Sequence, residues 1–129
     1  MEDIRIIVAG GRDFQDYPLL EHELDIIIGG MPWNNVTIIS GTAKGADQLG
    51  EKYAEERKLN VRRFPANWNT YGKAAGPIRN AQMAKYASEG AKGILVAFWD
   101  GKSKGTKNMI QEARNKDLIV KIVEYRRIQ

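Results

Sequence analysis

Five short apolar runs punctuate the chain: Ile4 to Ala9, Val36 to Ile39, Val61 to Phe64, Ile94 to Phe98 and Leu118 to Val123. Each is too short for a helix, rich in branched residues, and mostly continuous rather than alternating. That is the pattern of parallel strands covered on both faces. Only "VRRF" is strongly polar within, which predicts an edge strand. Between the runs lie helical patterns. Leu20, Leu24, Ile27 and Ile28 share one helical face, as do Ala46, Leu49, Tyr53 and Ala54; Met83, Ala84 and Ala87 mark a third helix, and Met109, Ile110 and Ala113 a fourth. Strand and helix alternate from end to end, which predicts an open α/β fold: a three-layer α/β/α arrangement around a mostly parallel five-stranded sheet with right-handed crossovers.

With 129 residues the chain has the size of one domain, taken as residues 1–129, with no repeat or linker in it. It has no cysteine, which removes disulfides, thiolate metal sites and a cysteine nucleophile, and its single histidine, His22, cannot build a histidine zinc centre. His22 falls on the polar side of its helix and is expected to be solvated. The start, "MEDIRIIVAGG", has neither the charge pattern of a signal peptide nor the length of a membrane span, so a cytoplasmic location is expected. The formal charge of +4, from 20 Lys and Arg against 16 Asp and Glu, suits an anionic partner if the cations cluster.

Where they sit therefore matters more than their sum. In an open α/β sheet ligands bind outside the carboxyl ends of the strands, where strand order reverses. The four strand-to-helix loops are "GGRDFQDY", "SGTAKGAD", "PANWNTYGKAAGPIRN" and "WDGKSKGT", and each joins glycine to lysine or arginine. Loops at the other end, such as "GGMPWNN" and "ERKLN", share no such chemistry, and Trp33 there reads as packing. Pro65 to Gly76 is about a dozen residues without periodicity, against the usual ~2 to 6, as in functional loops.

Each loop has a phosphate-type reading. Gly10, Gly11 and Arg12 follow the first strand. After the second, Ser40 and Gly41 end the strand, Thr42 is the expected N-cap, and a helix from Lys44 to Arg57 would aim its N–H groups and dipole at an anion. Gly45 and Gly50 have a second reading as helix-on-strand packing residues. In the third loop, Gly76 and Pro77 open a helix, with Arg79 and Asn80 in its first turns. In the fourth, Asp100, Gly101, Ser103, Gly105 and Thr106 lead into the last helix. Trp68, Tyr71 and Trp99 are candidates to stack on a base, and Arg12, Lys44, Lys73, Arg79 and Lys104 to answer phosphates. Trp68 has an equal reading as an anchor for its loop.

Asp47 and Asp100 are the candidate catalytic carboxylates, as general base or as acceptor for a ribose hydroxyl. Each has a bland alternative, Asp47 as a first-turn residue favoured by the helix dipole and Asp100 as a turn residue before Gly101. Asp13 and Asp16 read as turn and N-cap residues. No metal cage is recognisable, so any Mg²⁺ would be met through a ligand phosphate.

Taken together, "GGRDFQDYPLL", "ISGTAKGADQLGEKYAEE", "FPANWNTYGKAAGPIRNAQM" and "AFWDGKSKGTKNMI" resemble the small bacterial and phage proteins of the YspA type, a branch of the SLOG superfamily of Rossmann-like domains. The resemblance covers nearly the whole chain. Its relatives include nucleotide-binding sensor domains, cytokinin-activating phosphoribohydrolases and DNA-processing A proteins. It implies a Rossmann-like fold, a pocket for a nucleotide or nucleotide-derived ligand at the glycine-rich loops, and pairing into homo-oligomers through helices that flank the sheet. The phosphoribohydrolases carry a GGxGTxxE motif, and "GKSKGTKNMIQEA" resembles it through Gly105 and Thr106, but Met109 stands where the glutamate would be. The expected function is therefore a nucleotide sensor or sequestering module. The alternatives are a nucleotide or N-glycosidic-bond hydrolase using Asp47 or Asp100, and a binder of single-stranded nucleic acid that also uses the basic tail "EYRRIQ".

Overall fold

The structure, a computed structural model, describes residues 3–32 and 35–126, so Trp33 and the last three residues of the basic tail lie outside it. Five strands, β1 (Ile4–Gly10), β2 (Val36–Ser40), β3 (Asn60–Arg63), β4 (Lys92–Trp99) and β5 (Ile119–Glu124), form one sheet in the order β3-β2-β1-β4-β5. All four pairings are parallel, and the central strand sets the register on both sides, with Ile6 opposite Ile38 of β2 and Ile94 of β4. The order runs outward from β1 to β3, then returns to the other side of β1. The topological switch point is therefore the gap between β1 and β4 at their carboxyl ends.

The continuous apolar runs are explained by two cores. Ile6 and Val8 face one way, towards α1 (Tyr17–Ile28) and α2 (Ala46–Glu56), where Phe14, Leu20, Leu24, Ile28, Tyr53 and Phe98 fill the space. Ile7 and Ala9 face the other way, towards α4 (Ala75–Ser88) and α5 (Lys104–Asn115), a face rich in alanine: Ala84, Ala87, Ala97 and Ala113 join Met83, Leu95, Met109 and Ile110. Small residues let α4 and α5 lie close to the sheet, so the few large side chains on this face determine its shape.

Local signals start and stop the helices. Asp16 caps α1 by accepting the Leu19 N–H at 3.1 Å, and Pro18 occupies the first turn. Helices α2 and α5 end alike: Lys58 and Asp117 take positive φ, and the amides of Leu59 and Leu118 return to Ala54 and Ala113, at 2.8 and 3.0 Å. These are Schellman endings without glycine, and the leucine after each turn leads into the next strand.

Two sequence expectations need correction. Thr42 is not the N-cap of α2: it sits at φ 66, the helix begins at Ala46, and Gly45 holds the cap position with no side-chain hydrogen bond. Gly45 needs its φ of +82 because Gly11 and Arg12 backbone atoms occupy the space a side chain would take. The stretch from Pro65 to Gly76 is not one long loop, since a short helix α3 (Trp68–Tyr71), capped by Asn67, and a single 3-10 turn (Gly72–Ala74) run into α4. The "VRRF" strand lies at the sheet edge as its polarity predicts, and Phe64 continues past it by donating its N–H to Ser40 O.

Candidate functional site

Where β1 and β4 part, the loops after β1, β2 and β4 and the start of α4 enclose a cavity of about 610 Å³. That is within the usual range for small-molecule sites. Its floor is apolar, from Ala9, Met83 and Met109. Its walls are polar: Arg12 and Asp13 from the first loop, Asp47 from α2, Arg79 and Asn80 from α4, and Asp100, Lys102, Ser103 and Lys104 from the last loop. A second depression of about 570 Å³ adjoins it, lined by Gly41, Thr42, Lys44 and Pro65, and the two share Arg12, Ala43, Trp68 and Arg79.

Arg79 is fixed by the protein itself. One guanidinium N–H is donated to Gly41 O and Nε to Asn80 Oδ1 at 3.0 Å. Asn80 is buried, and its amide donates to Asn108 Oδ1 at 2.9 Å and to Gly105 O at 3.3 Å, which ties α4 to the start of α5. Burial lowers the Arg79 pKa, opposed by the carboxylate of Asp47 and assisted by the nearby charge of Arg12. A half-buried guanidinium held in place by backbone carries little reorganisation cost when it meets an anion.

Asp47 is 6% exposed. Its Oδ2 accepts the Ala43 N–H at 3.2 Å, so the loop folds back on the first turn of α2. Burial raises its pKa from 3.8 to about 6, against the opposing effects of the Ala43 N–H, Arg79 and Arg12, and with a smaller upward push from Glu51. Gly41 sits beside both groups: a Cβ there would lie 2.6 Å from Arg79 Nη1 and 2.8 Å from Asp47 Oδ2. Glycine at 41 is what lets the two approach the end of β2.

The loop after β4 is built by Asp100, whose Oδ1 accepts the amides of Lys102 and Ser103 at 2.9 and 2.8 Å. The turn role foreseen for Asp100 is thus met, with that oxygen already engaged. Ser103 caps α5 towards Thr106, and Trp99 Nε1 donates to Ser103 O at 3.1 Å. The first loop is held differently. Gly11 N donates to Phe98 O, and Gly11 O accepts the amides of Phe14 and of Ala46 at the start of α2. Tyr125 packs edge-on against Phe14 and donates to Asp13 Oδ1 at 2.6 Å, so residues beyond β5 brace the loop that carries Arg12.

Of the residues singled out in the sequence, Gly10, Arg12, Asp47, Trp68, Gly76, Pro77, Arg79, Asn80, Asp100, Ser103, Gly105 and Thr106 line the larger cavity, and Gly41, Thr42 and Lys44 the adjoining one. Lys104 also lines the larger cavity, and the remaining candidates lie outside both. Ser40 is fully buried; its hydroxyl donates to Glu51 at 2.6 Å and accepts the Thr42 amide, a loop-shaping role. Trp99 packs against the alanine-rich core instead of presenting a stacking face. Gly11 and Gly45 are used in loop-to-loop contact, and Tyr71, Lys73 and Gly101 line neither cavity. Asp13, Ala43, Met83, Lys102, Asn108 and Met109 line the cavity without having been foreseen as site residues. Met83 and Met109 read as helix-core positions by periodicity, and they are both: buried against the sheet and forming the floor.

Among the described residues no group of three or more His, Asp or Glu gathers as a metal site, and no helix is long and apolar enough to cross a membrane. The fold is similar to that of DNA processing protein A from Streptococcus pneumoniae (TM-score 0.68, 16% identity), over 94% of this chain and 50% of that one, so the chain spans half the length of that structure. In sequence it is similar to the Gene 61 protein of Mycobacterium phage D29, 28% identical over 115 residues, which cover 85% of this chain and 88% of the phage protein. The sequence profile of the YspA, cpYpsA-related SLOG family matches residues 4–71, from the first strand through the short helix that carries Trp68. With a five-stranded parallel sheet and its loops arranged around the β1–β4 gap, the chain belongs to that family.

Proposed function

We propose that this protein binds a nucleotide or nucleotide-derived ligand in the cavity at the β1–β4 switch point, as a sensor or sequestering module. The observation that carries this reading is the prefixed guanidinium of Arg79, set beside Arg12 above an apolar floor of Met83 and Met109. Phosphate oxygens match the two arginines and the nearby Lys44, Lys102 and Lys104, and a flat base matches the floor and the half-exposed face of Trp68. Any Mg²⁺ would be completed by ligand phosphate oxygens. A thermal-shift screen of mono- and dinucleotides tests the reading. A ligand at ~100 times its Kd adds about 2.7 kcal/mol to wild type, and Arg79→Ala abolishes the shift. Equal binding by wild type and Arg79→Ala defeats the proposal.

A second reading has one observation in its favour: the two depressions adjoin, sharing Arg12, Ala43, Trp68 and Arg79 in their walls, and together form a surface larger than either alone. Such a surface suits a single strand, and the structural similarity to a DNA processing protein is in keeping with it. Oligonucleotide binding that collapses steeply with salt supports the strand, whereas a captured small nucleotide loses less affinity.

A further inference from the structure

Among the described residues Asp47 is the one buried carboxylate, and the protein leaves it half satisfied. Oδ2 takes the Ala43 amide, while Oδ1 receives no hydrogen bond. The charged groups around it are otherwise engaged or set back. Arg79, from α4, spends Nη1 on Gly41 O and Nε on Asn80, and neither Arg79 nor Arg12, from the first loop, forms an ion pair with Asp47. Glu51, one turn along α2, is occupied by Ser40 and Arg63. Asp13, Asp100, Lys102 and Lys104 line the rest of the cavity. Oδ1 is not among the sealed side-chain oxygens that lack a hydrogen bond, so it keeps access to the outside although the residue as a whole is buried, and its partner is to be sought in whatever fills the cavity that Asp47 lines.

We propose that Asp47 Oδ1 accepts a hydrogen bond from an uncharged N–H or O–H donor of the ligand, so that the cavity selects molecules carrying such a donor beside their phosphate and disfavours bare phosphates. This deepens the nucleotide-binding reading and rests on it. Two parts of a nucleotide supply the donor, a ribose hydroxyl or a base amino group. An anionic group at that position would meet a like charge, so the phosphate is directed towards Arg12, Arg79 and Lys44 instead. Asp47 acts here as a specificity residue.

The Asp47→Asn variant tests this with a built-in reversal. The Ala43 amide still requires an acceptor, so the asparagine oxygen turns to it and the NH₂ group faces the cavity, replacing an acceptor with a donor. Binding of adenosine monophosphate, deoxyadenosine monophosphate, inosine monophosphate and inorganic pyrophosphate is measured by calorimetry for wild type and variant. Adenosine monophosphate is expected to weaken by about tenfold or more in the variant, while pyrophosphate binds as well or better because a negative charge has gone. A loss for wild type on removing the ribose hydroxyl assigns the donor to the sugar; a loss with inosine monophosphate assigns it to the base amino group. If all probes weaken together, Asp47 is only structural and the inference is overturned. If the variant binds adenosine monophosphate as tightly as wild type does, the inference is overturned and nucleotide binding stands. If folded wild type binds none of the three nucleotides, nucleotide binding fails and the inference with it.

Discussion

Asp47→Asn also has a consequence for stability that requires no ligand. A carboxyl group with a folded-state pKa of about 6 and an unfolded value of 3.8 holds its proton more tightly in the native protein. Between those values the folded state binds more protons than the unfolded state, so the contribution of Asp47 to stability falls as pH rises from about 4 to about 6 and is constant above. At 1.36 kcal/mol per pH unit the total is about 3 kcal/mol. No discount for solvent screening applies to a side chain this buried. Asparagine does not titrate, and every other group is common to the two proteins, so their difference isolates Asp47. Urea denaturation at a series of pH values between 4 and 8 is expected to show the variant gaining about 3 kcal/mol on wild type across that window. Expressed in melting temperature, the difference between the two proteins should change by on the order of 10 °C across the window. Two pH profiles that run parallel would refute the reasoning, because the carboxylate would then be solvated in the folded state. A gain that grew only below pH 4 would refute it equally, since that is the behaviour of a stabilised carboxylate.

Other substitutions probe how the cavity is held together. Gly50→Ala places a Cβ 2.8 Å from the Val8 side chain, lifts α2 from β1, and should cost about 1 to 3 kcal/mol in chemical denaturation. Asn80→Ala strips Arg79 Nε and Asn108 of their partner, with an expected loss of about 1 to 3 kcal/mol and weaker nucleotide binding. Tyr125→Phe removes the hydrogen bond to Asp13 but keeps the ring on Phe14; stability should drop by about 1 kcal/mol or less, while hydrogen exchange quickens in the loop that carries Arg12. Trp68→Ala, at a side chain 50% exposed, should leave the melting temperature within a few degrees and reduce nucleotide affinity.

The sheet was legible in the sequence because each strand buried on both faces must be apolar at every position, a pattern that no helix of that length shares. The edge position of β3 was legible for the converse reason, since Arg62 and Arg63 have nowhere to go in a central strand. Loop geometry was less legible. Thr42 has the chemistry of an N-cap, but Ser40 takes the Thr42 amide and Gly11 takes that of Ala46, both contacts made only on folding. Trp99 carries the same stacking surface as Trp68, but it ends β4 and packs on the alanine-rich core, whereas Trp68 opens the short helix α3 and stays half-exposed. Met83 and Met109 show their helix period and nothing of the cavity, because a residue at the margin of a core has the same sequence signature as one in its middle.

The strand order has a bearing on how the chain acquires this shape. During synthesis β1, β2 and β3 emerge first and can pair with one another, yet that leaves β1, the strand destined for the centre, as an open edge. Closure waits for residues 92–99, which must slot in beside β1 along its whole length, from Ile4 opposite Lys92 to Gly10 opposite Phe98. Contacts that span some ninety positions are slow to find. The first loop is finished later still, when Tyr125 arrives. A nascent chain of about seventy residues therefore already carries Arg12, Asp47 and Trp68 but has no pocket to put them in, and its uncovered hydrophobic edge is the point at which a chaperone, or another nascent chain, would make first contact.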